Sequence, residues 1–322
     1  MNRASFSPVS ASSAALAFTI FASLVGASAS QAASPFAGRW DFTVPNAAGN
    51  SNSSYWLGVT EKDGKLDVWF QPSGGNVIQM KDFKADGKHL SVTTSAATAT
   101  RPATTWELDA TDGKLTGAIK NGTNSTAVTG LPAPALKRKE PKAWTTPVSL
   151  FNGKDLTGWQ PLGDPANSHW IVADGLLVNQ TKGANLKSTA TYTDFKLHFE
   201  VNCPETANSG FYLRGRYEVQ LEYEPAGSEP PERGMGSVYG RLAPGSTLPR
   251  TPSQWETFDV TLVGRTVTVS RNGVLTIDHK EIEGITGGAL DANEGDPGPF
   301  YIQGDHTGGL KFRNITVSVP KP

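Results

Sequence analysis

Asn208-Ser209-Gly210-Phe211-Tyr212-Leu213-Arg214-Gly215-Arg216-Tyr217-Glu218-Val219-Gln220-Leu221-Glu222 alternates apolar with polar side chains around a central Arg-Gly-Arg. Successive strand residues point to opposite faces, so the stretch reads as a β-hairpin. Phe211, Leu213, Tyr217, Val219 and Leu221 take the core side, and Tyr212, Arg214, Glu218, Gln220 and Glu222 face outward. Phe300-Tyr301-Ile302-Gln303-Gly304-Asp305-His306 repeats the pattern, with Tyr301, Gln303 and Asp305 outward and His306 at the strand end. If these strands share a sheet, one floor carries acids, a base, a guanidinium and amides.

An antiparallel sheet ordinarily has one solvated face, which favours Lys, Thr and Ser. Arg, Gln, Tyr, Asp and His instead supply planar donors, acceptors and rings suited to sugar hydroxyls or carboxylates. Gly210, Gly215, Gly304, Gly308 and Gly309 flank the polar positions, and glycine in a strand often marks close approach of a ligand. The floor therefore reads as a ligand-binding surface, with a plain solvated face as the alternative.

Outward from the hairpin the chain stays strand-like. Trp170–Val172, Leu176–Val178, Lys196–Val201, Thr257–Val263, Thr266–Ser270 and Leu310–Val319 are strand candidates, and Asn272-Gly273 supplies a turn. Residues 132–145 are proline-rich and charged, the mark of a semi-rigid connector. Before it, Asp63-Gly64, Asp86-Gly87 and Asp112-Gly113 each separate alternating segments, a strong hairpin signal. Tyr55–Val59 should pair with Leu66–Phe70, and Trp106–Leu108 with Leu115–Ile119, in a small antiparallel β-meander or barrel over residues 34–131. Trp40, Trp56, Trp69 and Trp106 are expected to fill its core, the alternative being a sugar-stacking platform.

Arg3, an apolar run from Ala14 to Gly26 and Ala27-Ser28-Ala29 have the layout of a secretory signal peptide over residues 1–29. The run is too short for a membrane span. A periplasmic or secreted protein is expected. Cys203 is the only cysteine, so no intramolecular disulfide forms and stability must come from a packed core. Just after a strand and without a His-Asp signature, it reads as a packing residue. A net charge of −1 points away from nucleic acid and anionic membranes. A neutral partner fits better.

Ser149-Leu150-Phe151-Asn152-Gly153-Lys154-Asp155-Leu156-Thr157-Gly158-Trp159, Tyr192–Phe195, the Asn208–Gln220 stretch, Gly298–His306 and Phe312-Arg313-Asn314-Ile315 resemble the 3-keto-disaccharide hydrolase domain family across residues 146–322. The resemblance implies an all-β, concanavalin A-like jelly-roll sandwich whose concave sheet holds the site. It implies an enzyme acting on glycosides already oxidised at C3 by an upstream glycoside 3-oxidoreductase. A 3-keto group acidifies the C2 proton, so a base can remove it and the enolate expels the C1 substituent. Water addition then gives net hydrolysis, and the paired carboxylates of ordinary glycosidases are unnecessary.

Such a site needs a base, a group that stabilises the enolate oxygen, and donors that orient hydroxyls. Glu218 and His306 are the candidate base and acid, in either order. Arg214 is the candidate electrophile, with Tyr212, Gln220, Gln303 and Asp305 as hydroxyl partners. A structural ion pair of Arg214 with Glu218 across the hairpin is the competing reading. A divalent metal held by Glu218, Asp305 and His306 is an alternative electrophile, although no tight ligand spacing exists. The acidic loop Asp291–Gly298 lacks the spacing of an EF-hand. A non-catalytic carbohydrate-binding module is the alternative function, because fold does not imply function.

Overall fold

Two-residue turns with both residues at positive φ organise the chain. Asp63-Gly64, Asp112-Gly113, Asp174-Gly175 and Asn272-Gly273 have φ of 52 and 70°, 51 and 72°, 54 and 77°, and 51 and 75°. Such turns match the twist of the strands they join. The structure is a computed structural model that describes residues 33–45, 52–225 and 227–322, together with Met1. The leader-like run and its Ala-x-Ala motif lie outside the described residues.

Strand accounts for 51% of the chain and helix for 2%, so among the described residues no helical layer covers a sheet. The first sheet contains β1 (Gly38–Pro45), β2 (Asn52–Lys62), β3 (Lys65–Gln71), β4 (Ile78–Gln79), β5 (Phe83–Asp86), β6 (His89–Ser95), β7 (Thr104–Thr111), β8 (Lys114–Asn121) and β9 (Asn124–Pro132). Its order is β4-β3-β2-β1-β9-β8-β7-β6-β5, and both expected hairpin pairings are present. Trp106 on β7 lies 5.2 Å from Phe42 on β1 and 5.1 Å from Phe70 on β3. Flat-sheet neighbours are about 4.8 Å apart per strand, so contact between strands this far apart in the order requires the sheet to curl around its core. Trp40 and Trp106 fill that core. Trp56 and Trp69 do not: Trp56 packs with Ile285, Ala289 and Ala292, and Trp69 is exposed. Even residues of β2 and odd residues of β3 from Trp69 outward share the sheet's other face.

Two further antiparallel sheets form a jelly-roll sandwich. One runs β12 (Trp170–Ala173), β13 (Leu176–Asn179), β22 (Lys311–Ser318), β15 (Phe195–Asn202), β18 (Trp255–Val263), β19 (Thr266–Arg271), β20 (Val274–Glu281), with β10 (Val148–Ser149) beside β22. The other runs β11 (Trp159–Pro161), β14 (Leu186–Tyr192), β21 (Gly298–Ile302), β16 (Asn208–Leu213), β17 (Tyr217–Glu222). Phe199 on β15 stacks on Phe211 of β16 at 4.5 Å, joining the layers. Cys203 is buried in this core and burial pushes its thiol up to about 12, which suits packing and not nucleophilic attack.

The connector suggests few contacts between its flanks, yet the structure joins them closely. The Arg241 guanidinium stacks over Trp56 at 4.3 Å, Arg39 pairs with Glu281 at 2.6 Å, and the Gly288 amide donates to the Ser73 carbonyl at 2.8 Å. Ser34–Pro322 is one compact unit.

Candidate active site

Strand register assembles the polar face in rows. On β16 and β17, Tyr212 lies opposite Glu218, Gly210 opposite Gln220 and Asn208 opposite Glu222. On the other side Tyr212 faces Tyr301, and the Gln303 amide donates to the Gly210 carbonyl at 3.0 Å. The rows are Tyr301–Tyr212–Glu218, Gln303–Gly210–Gln220, and Asn208–Glu222, with Asp305 and His306 past the end of β21. Gly210 stands at the centre. A Cβ there would lie 2.0 Å from Glu218 Oε1, so the Glu218 carboxyl occupies the space that a side chain would fill.

Two residues that strand alternation does not reach complete the floor. Val219 bridges Val238, the Tyr239 amide donates to the Glu218 carbonyl, and the Gln220 amide donates to the Ser237 carbonyl. Ser237 and Tyr239 therefore stand beside Gln220 and Glu218. Their only signal in the sequence is Gly236-Ser237-Val238-Tyr239-Gly240, a short alternation bounded by glycines.

The floor is not solvated. Tyr212, Tyr301, Glu218, Gln220 and Glu222 are all buried, and every residue of β17 is buried on both faces. Gly287 and Gly288 lie over it: the Tyr212 hydroxyl donates to the Gly287 carbonyl and the Tyr301 hydroxyl to the Gly288 carbonyl, each at 2.6 Å. The Asp305–His306 end is open, with side chains 50% and 43% exposed and Asp305 Oδ1 2.8 Å from His306 Nδ1. Burial opposes ionisation of Asp305, but the hydrogen bond and charge of His306 hold its carboxyl below the usual range.

Burial pushes the Glu218 carboxyl well above its ordinary value, opposed by the Tyr212 hydroxyl and reinforced by the charges of Glu222 and Asp305. The hydrogen-bond count agrees. Tyr212 has one proton, which the Gly287 carbonyl takes, while Gln303 Nε2 donates to its oxygen at 3.0 Å. The remaining contact, Glu218 Oε2 at 2.8 Å, is then satisfied by a proton on Glu218. Burial and the hydrogen-bond count therefore both favour the protonated form of Glu218.

Glu222 differs. Its Oε2 accepts from Gln220 Nε2 at 2.8 Å and Asn208 Nδ2 at 2.9 Å. Burial raises its carboxyl to about 7, the Gln220 bond opposing and Glu229 and Glu224 adding to the rise. A carboxylate poised there suits a general base. Alternation puts Glu222 on this face but does not single it out from its neighbours. Glu222 also lines a cavity of about 280 Å³ with Pro230, Met235, Leu248 and Arg250.

Arg214 leaves the floor. Strand alternation stops at Leu213, and Arg214 adopts φ +52° in the turn, which rotates its side chain off the polar face. Its Nη2 donates to the Gly264 carbonyl at 2.7 Å and to the Tyr217 hydroxyl at 3.2 Å, and Tyr217 in turn donates to Glu294 at 2.5 Å. The ion pair with Glu218 is absent too, since Glu218 bonds Tyr212. The acidic loop is likewise committed: Arg265 grips Glu294 at 2.9 Å and Arg216 holds Asp291 at 2.7 Å. Among the described residues no three His, Cys, Asp or Glu side chains are grouped closely enough to hold a metal ion, and no helix is long and apolar enough to cross a membrane. Gln220 Oε1, Gln303 Oε1 and Ser237 Oγ are buried without partners. Acceptors left so are costly, and hydroxyl donors would satisfy them.

No curated protein matches the chain. A crystal structure of a candidate glycosyl hydrolase from Parabacteroides distasonis is 26% identical, with 56% of this chain and 92% of that one covered at a TM-score of 0.46. A second from the same organism is 22% identical, covering 53% and 92% at 0.43. Domain 4 of an extracellular arabinanase from Geobacillus stearothermophilus, solved with arabinotriose, is 16% identical, covering 56% and 94% at 0.38. The resemblance read from the motifs holds at the level of the family: over residues 146–318, more than half its length, the chain matches the 3-keto-alpha-glucoside-1,2-lyase-like domain and belongs to that family.

Proposed function

We propose that this protein cleaves 3-keto glycosides by removing the C2 proton and eliminating the C1 substituent, with water addition completing net hydrolysis. Family membership supports carbohydrate-directed chemistry. The observation that carries the finer reading is the pairing on one strand face of two differently held carboxyls: Glu222, whose Oε2 accepts from Gln220 and Asn208 and which burial raises to about 7, and Glu218, buried against Tyr212 and pushed toward its protonated form.

In this reading the Glu222 carboxylate takes the C2 proton and the C2–H electrons form the enolate C2=C3 bond. Negative charge develops on the ketone oxygen. The Tyr239 hydroxyl stabilises it, as does the Glu218 carboxyl in its protonated form once its proton turns from Tyr212 to the ketone oxygen, the part a carboxylic acid can play. They replace Arg214 in that role. As the enolate collapses the C1–O bond breaks, and the leaving oxygen takes a proton from the acid at the open end, His306. Water then adds at C1 and the proton returns to C2. Gln220, Gln303 and Asp305 bind hydroxyls, the two orphaned amide oxygens being the acceptors available, and Tyr212, fully engaged by Gly287, Gln303 and Glu218, positions Glu218.

The leader-like N-terminus supports export, and the need for a C3 ketone implies an upstream enzyme that oxidises a glycoside at C3. The test is turnover of a 3-keto glycoside against its unoxidised parent in deuterated water. Cleavage of the ketone alone, with deuterium at C2 of the product, is expected. Equal turnover of the parent would exclude elimination through C2, and saccharide binding without turnover would leave a binding module.

A further inference from the structure

The outer face of the first sheet, together with the segment after Tyr239, encloses a cleft of about 950 Å³, separate from the floor rows. Gly58 on β2 lies opposite Trp69 on β3. A Cβ at Gly58 would lie 2.1 Å from the outer edge of the six-membered ring of Trp56, so the Trp56 ring covers this glycine, which faces Trp69 across the strand pair. The two indoles thus stand on one sheet face, Trp56 buried and Trp69 open at 37% exposed. Trp69 is held in place: its indole Nε1 donates to Asp67 Oδ2 at 3.0 Å, and Gln79 Nε2 holds the other oxygen of Asp67 at 2.8 Å. The opposite wall contains Glu232, Arg241 and Glu283. It too is fixed, because Arg241 stacks on Trp56 and donates to the Ile285 carbonyl at 2.7 Å.

We propose that this cleft binds a neutral oligosaccharide, one ring stacking on the free face of Trp69 while its hydroxyls donate to Glu232 and Glu283. A sugar presents C–H bonds on one face and hydroxyls at its edge, which fits an aromatic platform faced by carboxylates. The other acids are spent: Glu281 pairs with Arg39, and Asp67 is bound by Trp69 and Gln79. Glu232 and Glu283 are left against the Arg241 cation, too small an excess of negative charge to select a cationic ligand. The volume suits a ligand of several rings. Arg241 stands two residues from Tyr239, so a saccharide held here lies next to the reaction floor. This site goes beyond the elimination chemistry and does not depend on it.

The test measures binding of maltohexaose, cellohexaose and laminarihexaose to the full chain and to Trp69→Ala by calorimetry, with choline as a cationic control. At least one saccharide should bind the wild type and bind Trp69→Ala about tenfold more weakly, the size expected for one lost stacking contact. Trp69→Phe should recover part of the affinity. Cleavage of a small 3-keto glycoside and the melting temperature should be unchanged in both variants, because Trp69 is exposed and outside the floor. Equal affinity of wild type and Trp69→Ala would overturn the proposal. So would binding of choline alone, or of no probe.

Discussion

Replacing Glu222 with Gln should make the protein more stable and much less active at the same pH. The side chain is only 5% exposed and its carboxyl is raised from 4.5 to about 7. The folded state thus holds this proton more tightly than the unfolded chain does. Stability falls as pH climbs from 4.5 toward 7, and above that the penalty is complete. Integrating between pH 5 and pH 8 gives about 2–3 kcal/mol that ionisation of Glu222 removes from wild-type stability. Glutamine has the same shape, keeps an oxygen for Asn208 and Gln220, and never ionises. Urea titrations at pH 5 and pH 8 should show Glu222→Gln gaining about 2–3 kcal/mol on the wild type between the two pH values. Turnover of a 3-keto glycoside should fall about 10²–10⁴-fold, and the acidic limb of the wild-type kcat/KM profile near pH 7 should vanish. A stability difference that does not change with pH would refute the burial argument. A limb near 7 that survives the substitution would assign the base to another group.

Gly210→Ala places a Cβ 2.0 Å from Glu218 Oε1; it should cost about 1–3 kcal/mol of overpacking and nearly all turnover, read by melting temperature and kinetics. Glu218→Gln and His306→Asn should each lower turnover about 10²–10⁴-fold with small changes in melting temperature, and near-normal activity in both would remove them from the mechanism. Arg214→Met should lower stability by about 1–3 kcal/mol through the unpaired Gly264 carbonyl while the folded enzyme keeps its turnover. Collapse of kcat at an unchanged melting temperature would return Arg214 to the chemistry. Trp56→Ala should cost about 3–5 kcal/mol, because the ring is buried between the first sheet and the jelly roll; a loss under 1 kcal/mol would mean that this contact contributes little.

Strand pattern and turn chemistry are local, and they are legible in the chain. Asp63-Gly64, Asp112-Gly113, Asp174-Gly175 and Asn272-Gly273 each sit in a hairpin because only a few residues tolerate the left-handed backbone of such turns. The side-chain period of two fixes which residues share a face, so alternation alone groups Tyr212, Glu218, Gln220, Tyr301 and Gln303. The same rule misplaces Arg214, since alternation holds only while the backbone remains extended. It misassigns Trp56 and Trp69 for a related reason: alternation separates two faces of a sheet but does not say which one a second layer will cover.

What the sequence determined by itself was the all-β class, the hairpins and the membership of one polar face. Tertiary structure alone decided the environment of that face. Burial depends on what packs over a residue from distant parts of the chain: Gly287 and Gly288 over the tyrosines, and Gly236–Gly240 along the edge of β17. Protonation follows burial, because a charge withdrawn from water must lose its ionisation or find a partner. Glu218 and Glu222, on one face of the same strand, therefore come to hold their protons differently, a distinction set by surroundings that no local pattern encodes.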